Sequence, residues 1–295
     1  MAELVGFVVI DKPAGLTSHD VVARVRRLVG RLVKVGHAGT LDPAATGVLP
    51  VALGSATRLI DQLVDARKGY VGVVRLGVQT TTDDAEGEPL ATCAVPSLTI
   101  AEIEAVLDRF RGDILQQPPA FSALHVDGQR AYALARAGNE VTLAPRPVRV
   151  ERLELLAWTP PDVTIAVECG KGVYIRALAR DIGAALGCGA HLAALQRTFV
   201  GPFRLEQAVP LAALTDRAVL AQHLLPPETA LLDWPTLLLD EADARRVLHG
   251  MAIFAGQPIA DRARAHDPSG RLIALLRRDG ERWQPVKVFS GGERE

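Results

Sequence analysis

Asp42 is the only acidic residue in the stretch GHAGTLDPAATG, residues 36 to 47, where nearly every neighbour is Gly, Ala or Thr. Pro43 biases it toward an extended backbone. The small neighbours let another molecule approach the main chain closely. A carboxylate presented in this way can serve as a nucleophile, provided it is ionised and not shielded by bulky side chains. Without a positive partner and a pocket, the same residues describe an Asp-Pro turn on the surface.

The candidate partner lies far along the chain, in Lys171-Gly-Val-Tyr174-Ile-Arg176. A guanidinium beside a carboxylate lowers its pKa by about 1–3 units and fixes its orientation. Arg180 follows at a spacing of four and projects from the same side of a helix. For Arg180 the favoured reading is a surface salt bridge with Asp181 or Glu168. For Arg176 that reading and the catalytic one stand level. Tyr70, one of only three tyrosines, follows Arg67 and Lys68. An aromatic beside cations suits stacking of a nucleobase with a grip on its phosphate, although a core tyrosine fits the residue alone. His37 and Lys12 are polar residues beside Gly or Pro, open to either a site or a turn role.

These residues need elements to position them. Gly6 to Ile10 reads as a buried strand, ended by the turn Lys12-Pro13-Ala14-Gly15. Thr17 and Asp20 form a capping box for a helix that buries Val21, Val22, Val25, Leu28 and Val29 and stops at Gly30. Tyr70 to Leu76 reads as a strand, Thr80 to Glu88 as a polar loop, and Thr99 to Phe110 as a helix. Val163, Ile165, Val167 and Cys169 alternate with polar or small residues, the pattern of a half-buried strand. Gly170-Lys171-Gly172 interrupts it, and helical spacing runs from Val173 to Leu186. Strands with irregularly inserted helices favour an α+β fold around a mixed sheet. Pro226-Pro227 and Trp234-Pro235 mark a linker zone before a small β-rich module with strands on either side of Asp279-Gly280.

The bulk figures narrow the class. With 295 residues, 48% hydrophobic and 23% charged, the chain has the make-up of a globular protein. No apolar run is long enough to span a bilayer, and the first residues lack a signal-peptide pattern, so a cytoplasmic location is expected. Three cysteines without a CxxC pair and histidines without HExxH signal neither disulfides nor a metal site. The formal net charge is −1, yet no acidic residue lies between Asp20 and Asp42, where Arg24, Arg26, Arg27, Arg31 and Lys34 gather. That local positive surface fits an RNA backbone or a solvated helix face.

Several blocks, taken in order, resemble the bacterial tRNA pseudouridine synthase B family: DKPAGLTSHDVV, GHAGTLDPAATGVLP, KGYVGVVRLG, QQPPAFSALHVDGQRAYALARAG and CGKGVYIRALARDIG. The resemblance spans roughly residues 5 to 205. The tail, from about residue 238 to 290, resembles the PUA module, a small RNA-binding domain. The resemblance implies a pseudouridine synthase catalytic domain over residues 1–235 with a mostly antiparallel mixed sheet, and a PUA-like domain over 236–295. It implies isomerisation of uridine 55 in the tRNA T-loop, without cofactor or metal; the T-arm of tRNA is the expected partner, no protein partner is implied, and a monomer is expected. By position, Asp42 is then the nucleophile, Arg176 its partner and Tyr70 the ring stacked on the uracil. His37, Tyr174, Leu195 and Lys12 become substrate contacts. With tRNA as the expected partner, the basic residues Arg24, Arg26, Arg27, Arg31 and Lys171 are expected to contact the RNA backbone. The chain departs from the family pattern at Thr81, His125, Gly170 and Gln196.

Two other chemistries compete. An N-glycoside hydrolase breaks the same first bond but needs a second carboxylate about 5–9.5 Å from the first, and the Asp42 and Arg176 blocks supply none. A zinc deaminase needs H-x-E and P-C-x-x-C signatures, which this sequence lacks. A purely RNA-binding or RNA-folding protein is the non-enzymatic alternative.

Overall fold

The computed structural model describes residues 4–122, 124–126, 129–130, 143–255 and 260–289. Part of the block QQPPAFSALHVDGQRAYALARAG, and the side chain of His125 within it, therefore lies outside the described residues. The chain divides into two compact units, Met1–Leu225 and Pro226–Glu295, with the break just before Pro226.

The first unit opens with strand β1 (Gly6–Lys12), and helix α1 (Ser18–Val29) follows. The Thr17 and Asp20 side chains cap each other's backbone at the start of α1, as their spacing predicts, and Gly30 closes it at φ 87°. Next come β2 (Val35–His37), β3 (Thr46–Leu53), α2 (Ile60–Val64), β4 (Lys68–Leu76), β5 (Val78–Thr80) and β6 (Pro89–Thr92). Helix α3 (Ile100–Asp108) precedes β7 (Gly112–Gln116), β8 (His125–Val126), β9 (Gln129–Arg130), β10 (Arg146–Thr159) and β11 (Asp162–Cys169). Helix α4 (Ile175–Ala185), β12 (Ala190–Val200), β13 (Phe203–Arg204), β14 (Val209–Pro210) and α5 (Arg217–Gln222) complete it.

Among the described residues, ten of these strands form one sheet, in the order β14-β1-β3-β12-β4-β11-β10-β7, with β2 beside β3 and β13 beside β12. Within this sheet, among the described residues, only β1–β14 and β3–β12 pair in parallel. The sheet is thus mixed and mostly antiparallel, the α+β class that the sequence pattern favours. Two apolar clusters flank its middle. One packs α1 against β1 and β3 through Val21, Val25, Ile10 and Leu49. The other packs α3 and α4 against β4, β10, β11 and β12 through Ile103, Leu178, Val167 and Leu153. Strand β11 follows its alternation closely, with Val163, Ile165, Val167 and Cys169 all buried.

Where the two halves meet, β3, β12 and β4 lie side by side. Gly47, Arg197 and Tyr70 fall in register across them, one residue per strand. Gly47 sits at φ 97°, and a Cβ there would lie 2.2 Å from the Arg197 carbonyl oxygen. Glycine is required at that point, because both the backbone angle and the close approach of β12 exclude a side chain.

The second unit carries a separate five-stranded sheet: β15 (Thr236–Leu238), β16 (Ile253–Phe254), β17 (Arg262–His266), β18 (Leu272–Asp279) and β19 (Arg282–Val288). Helix α6 (Glu241–Leu248) packs its Val247 into a core with Ile273, Leu276 and Trp283. Strands β18 and β19 form the antiparallel pair expected around Asp279-Gly280.

Candidate active site

The Asp42 loop, between β2 and β3, is held from several sides. Ser18, the first residue of α1 and buried, donates its hydroxyl to the Leu41 carbonyl and accepts from the Leu41 N–H, at 3.1 and 2.8 Å. The Gly15 N–H and the Lys12 ammonium both donate to the Pro43 carbonyl, at 2.9 and 3.0 Å. The Asp42 carbonyl accepts from the Ala45 N–H at 3.1 Å. The small residues here let surrounding segments grip the backbone, so the loop is fixed where its composition suggests it could bend.

Arg176, in the first turn of α4, reaches across to Asp42. Its Nε lies 2.9 Å from Oδ2 and its Nη2 3.4 Å from Oδ1, a two-point fork on the carboxylate. The Arg176 side chain is 9% exposed and that of Asp42 41%, so the cation is buried while the nucleophile candidate faces out. Arg176 also donates to the carbonyls of Thr82 and Phe121, each at 3.0 Å, and lies 3.5 Å from the Asp84 carboxylate. A guanidinium with this many fixed acceptors cannot swing away, and a buried charge requires such partners.

Tyr70 and Leu195 join Asp42 and Arg176 around a cavity of about 480 Å³, which Tyr174, Lys171 and Phe121 also line. Burial raises the pKa of the Tyr70 phenol, while neighbouring Arg197 opposes that rise, so the ring stays neutral and suited to stacking. Gln116, buried at the end of β7, accepts from the Tyr174 N–H at 2.8 Å and donates to its carbonyl at 3.1 Å. That amide pairs with the backbone as a strand would and sets where α4 begins.

Three buried cations frame the loop. Lys12 is wholly buried and donates to the carbonyls of Pro13, Leu16 and Pro43. Expected among the substrate contacts, it is instead sealed beneath the loop, with its donors used on protein carbonyls. Arg197, 1% exposed, donates to the carbonyls of Val48, Thr40 and Gly39 at 2.8, 3.2 and 3.0 Å. Burial opposes the Arg197 charge, whereas Tyr70 and Asp42 favour it. Lys68 donates to the carbonyls of Val64 and Ala66, both at 2.8 Å. Burial and then the Arg197 charge depress its pKa to about 8.

The remaining expected residues lie at the rim of the cavity or outside it. His37 ends β2 and is absent from the cavity wall; its Nδ1 is buried with no hydrogen-bond partner among the described residues, and burial with the Arg197 charge lowers its pKa. Lys171 is exposed at the rim and pairs with Asp65 at 3.0 Å. Arg24, Arg26, Arg27 and Arg31 are exposed on or just after α1, and none lines the Asp42 cavity. Arg180 does pair with Asp181, as favoured, but it also binds Asp83 at 2.9 Å.

Sequence reasoning missed Asp84, Arg197 and Gln116, and it read Lys68 only as a cation beside Tyr70, whereas Lys68 is buried on protein carbonyls. Asp84 lies in a loop that reads as solvated, and nothing local marks it. For Arg197 a signal exists: it shares the inward phase of β12 with Leu195, and an arginine in that phase needs buried acceptors. Gln196, where the family pattern often has Arg, points outward beside it.

Comparison with known proteins agrees along the chain. The model of the TruB family pseudouridylate synthase N-terminal domain matches residues 26–175. The tRNA pseudouridylate synthase B C-terminal domain matches residues 176–232, and the tRNA pseudouridine synthase II C-terminal model matches 234–290. The chain is 47% identical to tRNA pseudouridine synthase B of Pseudomonas aeruginosa over 277 residues, covering 92% of this chain and 90% of that protein. It is equally identical to the protein of that name from Mycobacterium tuberculosis over 288 residues, covering 96% and 95%. A solved Cbf5-Nop10-Gar1 complex contains a similar chain, with a TM-score of 0.75 and 29% identity, covering 97% of this chain and 85% of that one. By sequence and by fold alike, the chain belongs to the TruB family of pseudouridylate synthases.

Proposed function

We propose that this chain converts uridine 55 in the T-loop of tRNA to pseudouridine, with Asp42 as the nucleophile and without cofactor or metal. The observation that carries the reading is the Arg176 fork on an outward-facing Asp42, at the wall of a cavity that Tyr70 and Leu195 share. The target base is stacked inside folded RNA, so it must be extruded, at a cost of a few kcal/mol. Tyr70 stacks on the extruded uracil, and Leu195 and Tyr174 complete the wall. The Asp42 carboxylate then attacks C1′ of the ribose or C6 of the uracil. The N1–C1′ bond breaks, the base turns while held, C5 bonds to C1′, the bond to Asp42 breaks to restore the carboxylate, the C5 proton leaves, and N1 takes up a proton. Atoms balance without an external reactant, which is why an enclosed site matters: an escaping base would leave an abasic nucleotide.

Arg176 keeps the Asp42 oxygens aimed, while Lys12 and Arg197 hold the loop that carries them. His37 acts on the extruded state from the end of β2, where the Asp42 loop begins. Arg24, Arg26, Arg27, Arg31 and Lys171 bind phosphates of the T-arm, and residues 236–295 act as the PUA-like RNA-binding domain. The enzyme works in the cytoplasm as a monomer, with tRNA as its partner.

Asp84 gives a second reading some footing. It supplies the second carboxylate that an N-glycoside hydrolase needs, on the same guanidinium as Asp42. Both carboxylates are ion-paired with Arg176, however, and a carboxylate held ionised in this way is poorly placed to protonate a leaving group. Incubation with tRNA carrying [5-³H]uridine separates the readings. The proposal expects tritium in water and pseudouridine at position 55, and none from a U55→C transcript. Free uracil as the main product would replace it with hydrolysis.

A further inference from the structure

Arg180 lies one turn beyond Arg176 on α4, outside the cavity wall. Its Nη1 donates to Asp83 at 2.9 Å and its Nη2 to the Gln117 carbonyl at 2.9 Å, while Nε binds Asp181 at 2.9 Å. Each of the first two contacts belongs to a segment that also meets Arg176. Thr82 and Asp84, on either side of Asp83, give Arg176 a carbonyl and a carboxylate. Phe121, four residues after Gln117, gives it a second carbonyl. Asp83 is the one described non-glycine residue at positive φ, 59°. That angle turns its side chain away from its neighbours' direction, so residues 82 to 84 address two arginines at once. Its backbone is tied as well, since the Asp83 carbonyl accepts from the Leu192 N–H at 2.9 Å.

We infer that Arg180 is a positioning residue for the reaction under Proposed function. It clamps the 82–84 turn and the 117–121 segment, and so fixes the acceptors that aim Arg176 at Asp42. It touches no substrate. Asp83 is its counterpart in this brace, and Asn in its place keeps both the shape and the tolerance for positive φ while removing the charge.

Single-turnover tritium release, with enzyme in excess over tRNA, tests the brace. Misaligning a reacting group by an ångström costs up to about a hundredfold. Arg180→Gln is therefore expected to slow release by about ten- to a hundredfold, with affinity for tRNA and melting temperature near wild type. Arg180→Lys, which still meets Asp83, should recover part of the rate. Asp83→Asn should slow release too, and Arg180→Gln with Asp83→Asn should be no slower than Arg180→Gln alone, because both break one link. Hydrogen exchange reads the same brace without turnover: Arg180→Gln should speed exchange in peptides covering residues 81–88 and 117–122. A wild-type rate in Arg180→Gln, multiplied losses in the double variant, or unchanged exchange at both segments would overturn the inference. Wild-type protein that releases no tritium would sink the proposed reaction instead, and the exchange comparison would still decide the brace.

Discussion

Replacing Arg176 by lysine keeps a positive charge near Asp42 and removes the geometry. The guanidinium donates to Asp42 Oδ1 and to the carbonyls of Thr82 and Phe121, and it is ion-paired with Asp42 Oδ2 and the Asp84 carboxylate. An ammonium has three donors and no fork, so it cannot hold both Asp42 oxygens and both carbonyls together. Loss of one preorganised donor at a reacting group lowers turnover by about 10²–10³. A buried carbonyl left without a donor costs about 1–3 kcal/mol. With one of the two carbonyls orphaned, Arg176→Lys should unfold in urea with a stability lower by about 1–3 kcal/mol, and its single-turnover rate should fall by about 10²–10³. Binding of tRNA should change little, since Arg176 is 8% exposed and spends its donors on the protein. A rate within threefold of wild type would refute the claim that the two-point fork, rather than charge alone, is what Asp42 requires.

Other consequences are as direct. Gly47→Ala places a methyl group on the Arg197 backbone at a positive φ, so a destabilisation above about 2 kcal/mol is expected in urea unfolding; a wild-type midpoint would contradict the close strand approach. Lys68 has a folded pKa of about 8 against an unfolded value near 10.4, so the unfolded chain binds more protons between these values. Stability should rise with pH from about 8 to 10 relative to Lys68→Met, which lacks the group; parallel curves for the two proteins would show that Lys68 is not depressed. Affinity for tRNA should fall steeply with salt, and neutralising Arg24, Arg26 and Arg27 together should flatten that slope by about three phosphate contacts. A slope unchanged in the triple variant would remove α1 from the RNA interface.

How much of this was readable in the sequence depends on how local each signal is. Strand β11 and helix α1 announce themselves through alternation and a capping box, because their periodicity and cap lie within a few consecutive residues. Asp42, Tyr70 and Arg176 stand out as chemical groups at breaks between elements, and folding brings them to one cavity from three distant segments. Asp84 could not be found that way: its loop is polar throughout, and its role exists only because α4 passes beside it. Lys12 shows the opposite case. Its place beside Pro13 left a site or a turn role open and the resemblance made it a substrate contact, but it follows Asp11 at the end of β1 and is wholly buried. The Arg180 contact with Asp181 was local and readable, whereas those with Asp83 and Gln117 span 97 and 63 residues.

The most direct trial of the account is the conversion of uridine 55 by Asp42→Asn protein. Asparagine keeps the size of the side chain and leaves intact the backbone bonds that Lys12, Ser18 and Gly15 make to the loop, so folding and tRNA binding should survive. Wild-type enzyme should yield pseudouridine at that position, and the variant should yield none while binding the same tRNA. Pseudouridine formed by the variant at anything near the wild-type rate would contradict the assignment of Asp42 as the nucleophile.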